Sequence, residues 1–202
     1  MYSTRPNLVL GFHGCEKSEQ QKLISDPAYV RESNESFDWL GHGMYFWENN
    51  PERARLWAEQ KRDAGTLKKP AIVGAVLDLG RCLDLLDSSN IMLVKSSYAL
   101  FVEDSKKLEK PIPENEPHPR NTSNEKVLRY LDCAVIEYTH SYLKTNEIDS
   151  FDSVRAAFLE GEPLYEGAGF NEKTHIQICI INPDCIKGFF LPRYKLERFK
   201  RS

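Results

Sequence analysis

The stretch DWLGHGMYFWENNPERARLWAEQ, Asp38 to Gln60, has two parts: a glycine-punctuated run into a short aromatic strand, Met44 to Trp47, then a helix that opens on Asn-Pro-Glu. Asn49 or Asn50 is suited to cap that helix, Pro51 to its first turn, where a missing N–H costs nothing, and Glu52 to the positive end of its dipole. Tyr45 therefore leaves a strand just before a helix begins, a common position for a ligand pocket. Strand alternation points Tyr45 and Trp47 together and Phe46 the opposite way. Phe46 is assigned to the core, and Tyr45 with Trp57 is left to flank a flat ring. Core packing alone is the plainer reading of the same aromatics, because Trp57 follows Ala54 at helical spacing.

The rest of the chain reads as strands and helices in mixed order. NLVLGFHG is an apolar strand ending at His13, EKSEQQKLISD a surface helix, and residues 26 to 43 a long ordered loop carrying Phe37, Trp39 and His42. After a helix at 51 to 64, AIVGAVLDL (71 to 79) is a buried strand. Ser88 or Ser89 caps a helix whose Ile91, Leu93, Val94, Tyr98, Leu100, Phe101 and Val102 form a core-facing surface. The proline-rich stretch 108 to 122 is a loop. Ser123 or Asn124 opens a helix running to about Leu143, and a short helix ends at Gly161. The loop Glu162 to Lys173 leads into the strand that carries His175 and Gln177, and CIKGFFLP is the last strand.

Three of these pieces carry a resemblance. A strand ending in His-Gly, a later G-x-Y-F strand followed by a helix, and a late strand ending in Asn-Pro resemble the three motifs of the ADP-ribosyltransferases of the diphtheria-toxin and poly(ADP-ribose) polymerase type, the H-Y-E class. The resemblance implies an α+β fold: a split, mostly antiparallel sheet with flanking helices around an NAD cleft. It implies that His13 and Gly14 hold the dinucleotide, His13 at the adenosine-side ribose and Gly14 at the nicotinamide amide. Tyr45, with Trp57 on the following helix, would stack on nicotinamide.

The third motif departs from the pattern, because the catalytic glutamate of the class falls on Gln177. A glutamine carbonyl still accepts a hydrogen bond from a ribose hydroxyl but supplies no charge. Removing one fixed electrostatic stabiliser costs about 10²–10³ in rate. Members of the class with other residues here are associated with mono-ADP-ribosylation, altered acceptors or lost activity, so the resemblance implies mono-ADP-ribosylation rather than polymer elongation. Glu160, Glu162, Glu166 and Glu172, in or beside the loop before this strand, are candidates for the missing base, against the plainer reading of a solvated acidic loop. His175 shares a strand face with Gln177 and is the alternative polar group of the motif. Arg155 either grips a dinucleotide phosphate or pairs with a neighbouring carboxylate. His42, between two glycines, is read as a turn residue before a second dinucleotide contact.

At 202 residues the chain suits one catalytic domain, 1 to 202, with a basic tail from 193. The net charge of −3 offers no global attraction to nucleic acid or anionic membrane. The tail, five Lys or Arg among its last ten residues, either tracks a nucleic-acid backbone or is simply solvated. No run is long and apolar enough for a membrane helix, so the expected location is cytoplasmic. Five cysteines without close-paired spacing argue against a disulfide framework and a zinc site, and His118 and Arg120 read as solvated. GAGFNE at 167 to 172 lacks the third glycine of a Rossmann fingerprint and precedes a strand.

The expected function is transfer of ADP-ribose from NAD⁺, as co-substrate and without a metal, to a protein or nucleic-acid acceptor. The superfamily analogy adds a toxin or phage-defence effector with a neutralising antitoxin or immunity protein. The alternatives are a silent NAD- or ADP-ribose-binding module that has lost the glutamate, and an NAD glycohydrolase. A cysteine hydrolase on Cys15 lacks any nucleophile-elbow pattern.

Overall fold

The structure is a computed structural model that describes residues 8–26, 28–117 and 126–193. Seven strands and four helices follow in the order β1 (Val9–Glu16), α1 (Lys17–Ser25), β2 (Met44–Glu48), α2 (Pro51–Asp63), β3 (Pro70–Leu77), β4 (Cys82–Asp84), α3 (Ser88–Lys107), α4 (Tyr130–Thr145), β5 (Ser153–Phe158), β6 (His175–Ile180) and β7 (Ile186–Phe190). The strands form one sheet in the order β4-β5-β6-β2-β1-β3-β7. Every pair is antiparallel except β4 with β5. The fold is therefore α+β with a mostly antiparallel sheet.

Both faces of the sheet are covered. On one face Phe46, Met44, Val73, Leu77, Ile178 and Ile180 pack with Leu23 of α1. Phe46 is fully buried, as its place in the strand predicts, and contributes about 1.5–3 kcal/mol through that burial. The other face carries two separate cores. Phe12, Trp47 and Ile72 pack under Ala54 of α2, with Trp57 and Phe190 at the margin. Val154, Ala156, Phe158 and Cys179 pack with Leu40 and with Ile136 and Leu143 of α4.

Helix α2 begins as its sequence requires: the Asn50 side chain accepts from the Arg53 N–H at 2.9 Å, and Pro51 occupies the first turn. Four expectations are corrected. β1 runs past His13 to Glu16, because its ladder with β3 continues as far as Pro70. Residues 153 to 158 form β5, not a helix, held between β4 and β6. α3 is capped by Asp87, whose carboxylate accepts from Ser89 N and Asn90 N, and only part of its apolar face meets the core, where Leu93 and Val94 pack. Ile91, Tyr98 and Leu100 are exposed, whereas Ser97 and Ser105 are buried.

The fourth correction is the start of α4, at Tyr130 instead of 123 or 124. Leu128 forms an isolated antiparallel bridge with Glu116, and the remote Asn115 side chain accepts from Leu131 N and Asp132 N. All five cysteines are buried free thiols. Among the described residues no helix is long and apolar enough to cross a membrane.

Candidate functional site

The three motif strands are neighbours, β6-β2-β1, although they lie far apart in the sequence. Their ladders differ in length. β1 is matched to β3 over eight residue pairs and β2 to β6 over four, but β1 meets β2 only at Gly11↔Glu48 and Phe12↔Trp47. Beyond Phe12 the two strands part, and the next residues on β1 are His13 and Gly14. At that point the His13 Nδ1 lies 2.8 Å from the Tyr45 carbonyl oxygen. A carbonyl only accepts, so Nδ1 carries the proton and Nε2 presents a lone pair. Burial pushes the His13 pKa down and keeps the ring neutral.

Alternation along the strands puts Gly14, Tyr45, Trp47, His175 and Gln177 on one face, with Gln177 directly opposite Trp47. His13 belongs to the other face, beside Phe46, with ring centroids 6.0 Å apart. Tyr45 and Trp47 point the same way yet join different cores, so the seam between those cores crosses the strand between them. Gly14 approaches α2 so closely that an added Cβ would stand 2.5 Å from Ala54 O and 3.1 Å from Trp57 Cε3. Trp57 faces Trp47, with centroids 5.7 Å apart, and carries the Lys61 ammonium over its ring. The Tyr45 hydroxyl donates to Gly41 O at 2.6 Å and accepts from Leu40 N at 2.8 Å, and burial raises its pKa. The aromatic nearest Trp57 is thus Trp47, while Tyr45 is anchored to the loop before β2.

A charged cluster that sequence reasoning reached only in part lies on the same face. Glu160, two residues beyond β5, accepts on both carboxylate oxygens from Arg53 Nη2 at 2.6 Å. Its Oε2 is 3.8 Å from His175 Nδ1, which itself donates to Lys173 O at 2.6 Å. The His175 side chain is 0% exposed, and burial lowers its pKa. The Arg53 guanidinium lies 5.8 Å from the Trp47 ring centre. Four enclosed nitrogens here have no hydrogen-bond partner: Trp47 Nε1, Arg53 Nε, Arg53 Nη1 and His175 Nε2. Arg53 was not among the expected site residues. Its position one helical turn before Trp57 puts both on one side of α2, and that spacing was the available signal.

The other expected residues lie elsewhere. Arg155 points to the opposite face, where it is held by Glu48 and Asp84, so of its two readings the structure contains the carboxylate pairing. Glu162, Glu166 and Glu172 are exposed on the loop. That loop closes on itself through Leu164 N to Phe170 O, Glu172 N to Glu162 O and Lys173 N to Glu160 O. His42 is a turn residue whose backbone N–H and ring both meet the Glu137 carboxylate, at 2.8 and 3.4 Å. The Cys15 thiol is pushed up to about 12 by burial and by Glu19, which leaves almost no nucleophilic thiolate near neutrality. His118, Arg120 and residues 194 to 202 of the basic tail lie outside the described residues.

A cavity of about 700 Å³ opens between α3, α4 and β5, walled by Trp39, Leu40, Val94, Tyr98, Arg129 and Phe158. None of His13, Gly14, Tyr45, Trp57 or Gln177 lines it, although Ala156 on its floor is the β5 partner of Gln177. Among the described residues no three His, Cys, Asp or Glu side chains are grouped to hold a metal ion.

No protein-family model, no curated protein and no solved structure matches the chain.

Proposed function

We propose that the chain is an NAD-dependent mono-ADP-ribosyltransferase, with NAD⁺ bound where β1 and β2 part. The observation that carries this reading is the convergence of three separate sequence motifs on adjacent strands. His13 and Gly14 lie just beyond the end of a two-pair ladder, the His13 ring reaching the Tyr45 main-chain carbonyl from the opposite face, and Gln177 stands on the next strand opposite Trp47.

The chemistry follows from what each group offers. The His13 Nε2 lone pair accepts from a ribose hydroxyl. Gly14 presents main chain without a Cβ at a point where one would not fit. Tyr45 and Trp57 bound the nicotinamide position, and the Gln177 carbonyl accepts from a hydroxyl of the nicotinamide-side ribose. The bond from the anomeric carbon to nicotinamide breaks with its electron pair going to the departing ring, and a lone pair on the acceptor then attacks that carbon and releases its proton. Holding the ribose and the acceptor in a reactive geometry lowers the entropic part of the barrier.

One observation favours the silent NAD-binding module as the second reading. Gln177, on the strand next to β2 and opposite Trp47, accepts a hydrogen bond but supplies no charge, which leaves binding intact while weakening catalysis.

Incubation with NAD⁺ labelled in its adenylate half separates the readings. The transferase places label on macromolecules of a cell lysate, and digestion by protease or by nuclease identifies the class of acceptor. The silent module binds labelled NAD⁺ at equilibrium and transfers none. A protein that neither binds nor transfers contradicts both.

A further inference from the structure

The cavity between α3, α4 and β5 has the dimensions of a ligand site and holds none of the motif residues. Its volume of about 700 Å³ lies within the range of roughly 300–1,000 Å³ that small-molecule pockets occupy. Its floor is core, since Leu40, Ile136, Ala156 and Phe158 are all buried. The exposed members of its lining, Lys95 and Tyr98 on α3 and Leu159 just past β5, mark its mouth.

The charged groups of the lining narrow the choice of ligand. Arg129, immediately before α4, lays its guanidinium 4.5 Å from the centre of the Trp39 ring and 5.4 Å from that of Phe158. Both rings line the cavity, so the cationic head stands at its wall. Stacking on two aromatic rings holds it there. The head donates to Asp132 from Nη1 at 3.0 Å, its one hydrogen bond among the described residues, and Nε is enclosed without a partner. A guanidinium offers five N–H donors, and native proteins leave few enclosed donors unpaired. The other donors nearby are already committed. The Trp39 indole N–H donates to Val127 O at 2.7 Å, and the N–H groups of Leu131 and Asp132, at the start of α4, donate to the Asn115 side chain. Arg129 and Lys95 set against Asp132 leave a single positive charge on the lining.

We infer that this cavity binds a small-molecule monocarboxylate with an apolar body. The body lies against Leu40, Ile136 and Phe158, the carboxylate pairs with Arg129, and Lys95 adds to the positive field. A cation is repelled by the same two residues, a dianion brings more negative charge than the lining balances, and a neutral apolar molecule leaves the Arg129 donors unmet. The site is separate from the proposed dinucleotide position, and the inference does not depend on the transferase reading.

The test is isothermal titration calorimetry of the full-length protein with two acids, naphthoate and octanoate, and with their neutral counterparts, naphthalenemethanol and octanol. At least one acid binds saturably, and at least about tenfold more tightly than its alcohol. Arg129→Gln weakens that acid by at least about tenfold and leaves the alcohol nearly unchanged. Val94→Trp, which fills the cavity from its half-buried wall on α3, removes the binding of both. Thermal midpoints establish that each variant is folded, and if Arg129→Gln is not, the acid–alcohol comparison in wild type and the loss in Val94→Trp decide the matter. Folded wild type that binds neither acid overturns the inference. So does an alcohol that binds as tightly as its acid, or acid binding that persists undiminished in folded Val94→Trp or Arg129→Gln.

Discussion

His13 donates from Nδ1 to the main-chain carbonyl of Tyr45, 2.8 Å away, where the β1–β2 ladder has already ended. One side chain thus joins two motif strands across the opening between them, and the same bond fixes which ring nitrogen carries the proton. That tautomer is the basis for assigning His13 a lone pair at Nε2. Nitrogen NMR of the imidazole should find the Nδ1–H tautomer at neutral pH; an Nε2–H tautomer would remove the proposed acceptor.

Burial lowers the pKa of His13, His140 and His175 alike. Below the ordinary histidine value of about 6.5 the unfolded chain takes up protons that the folded chain does not. Their contribution is therefore fully present above that value and is lost as the pH falls below it. The urea midpoint should decline between about pH 7.5 and pH 5.5, and less steeply in His13→Asn. A midpoint that is flat or rises on acidification contradicts the assignment of these rings as neutral.

Gly14 and Gly169 should respond oppositely to alanine. At Gly14 the new Cβ meets the Ala54 carbonyl oxygen, a main-chain atom in the first half of α2, so the helix has to move. Overpacking of this kind costs about 1–3 kcal/mol. At Gly169 no atom lies within 4 Å of the new Cβ, and φ is not in the left-handed region. Chemical denaturation of both variants checks the contrast; equal effects would show that β1 and α2 are not in contact at Gly14.

Arg155 is structural. Its guanidinium meets Glu48 at 3.1 Å and Asp84 at 3.2 Å, with the arginine side chain 6% exposed. Arg155→Met removes the guanidinium from two mostly buried carboxylates, a loss of about 3–5 kcal/mol. NAD⁺ affinity of the folded fraction should be unchanged. A variant of normal stability with weakened NAD⁺ binding would return Arg155 to the dinucleotide.

How much of this was legible in the chain varies with the source of each element's order. The β2–α2 junction was readable because its signals are local: Asn50 caps, Pro51 starts the helix, and Phe46 alternates into the core. β5 was not, since SVRAAF carries no glycine or turn residue and its state is decided by partners on both sides. α3 misled in the other direction, because its spacing is helical but half of its apolar face meets no second layer. In the candidate site, the motif residues came from the resemblance. The spacing of Arg53 and Trp57 put the two on one side of α2, but the opening of the ladder after Phe12 and the unpartnered nitrogens of Arg53 required strand register and burial.

Nicotinamide release from NAD⁺ by purified protein, with and without cell lysate or RNA, tests the central claim most directly. The account predicts release by wild type that rises with an added acceptor and is abolished in a folded His13→Ala variant. Release that His13→Ala leaves intact, or its absence from wild type under every condition, would contradict a dinucleotide site at the parting of β1 and β2.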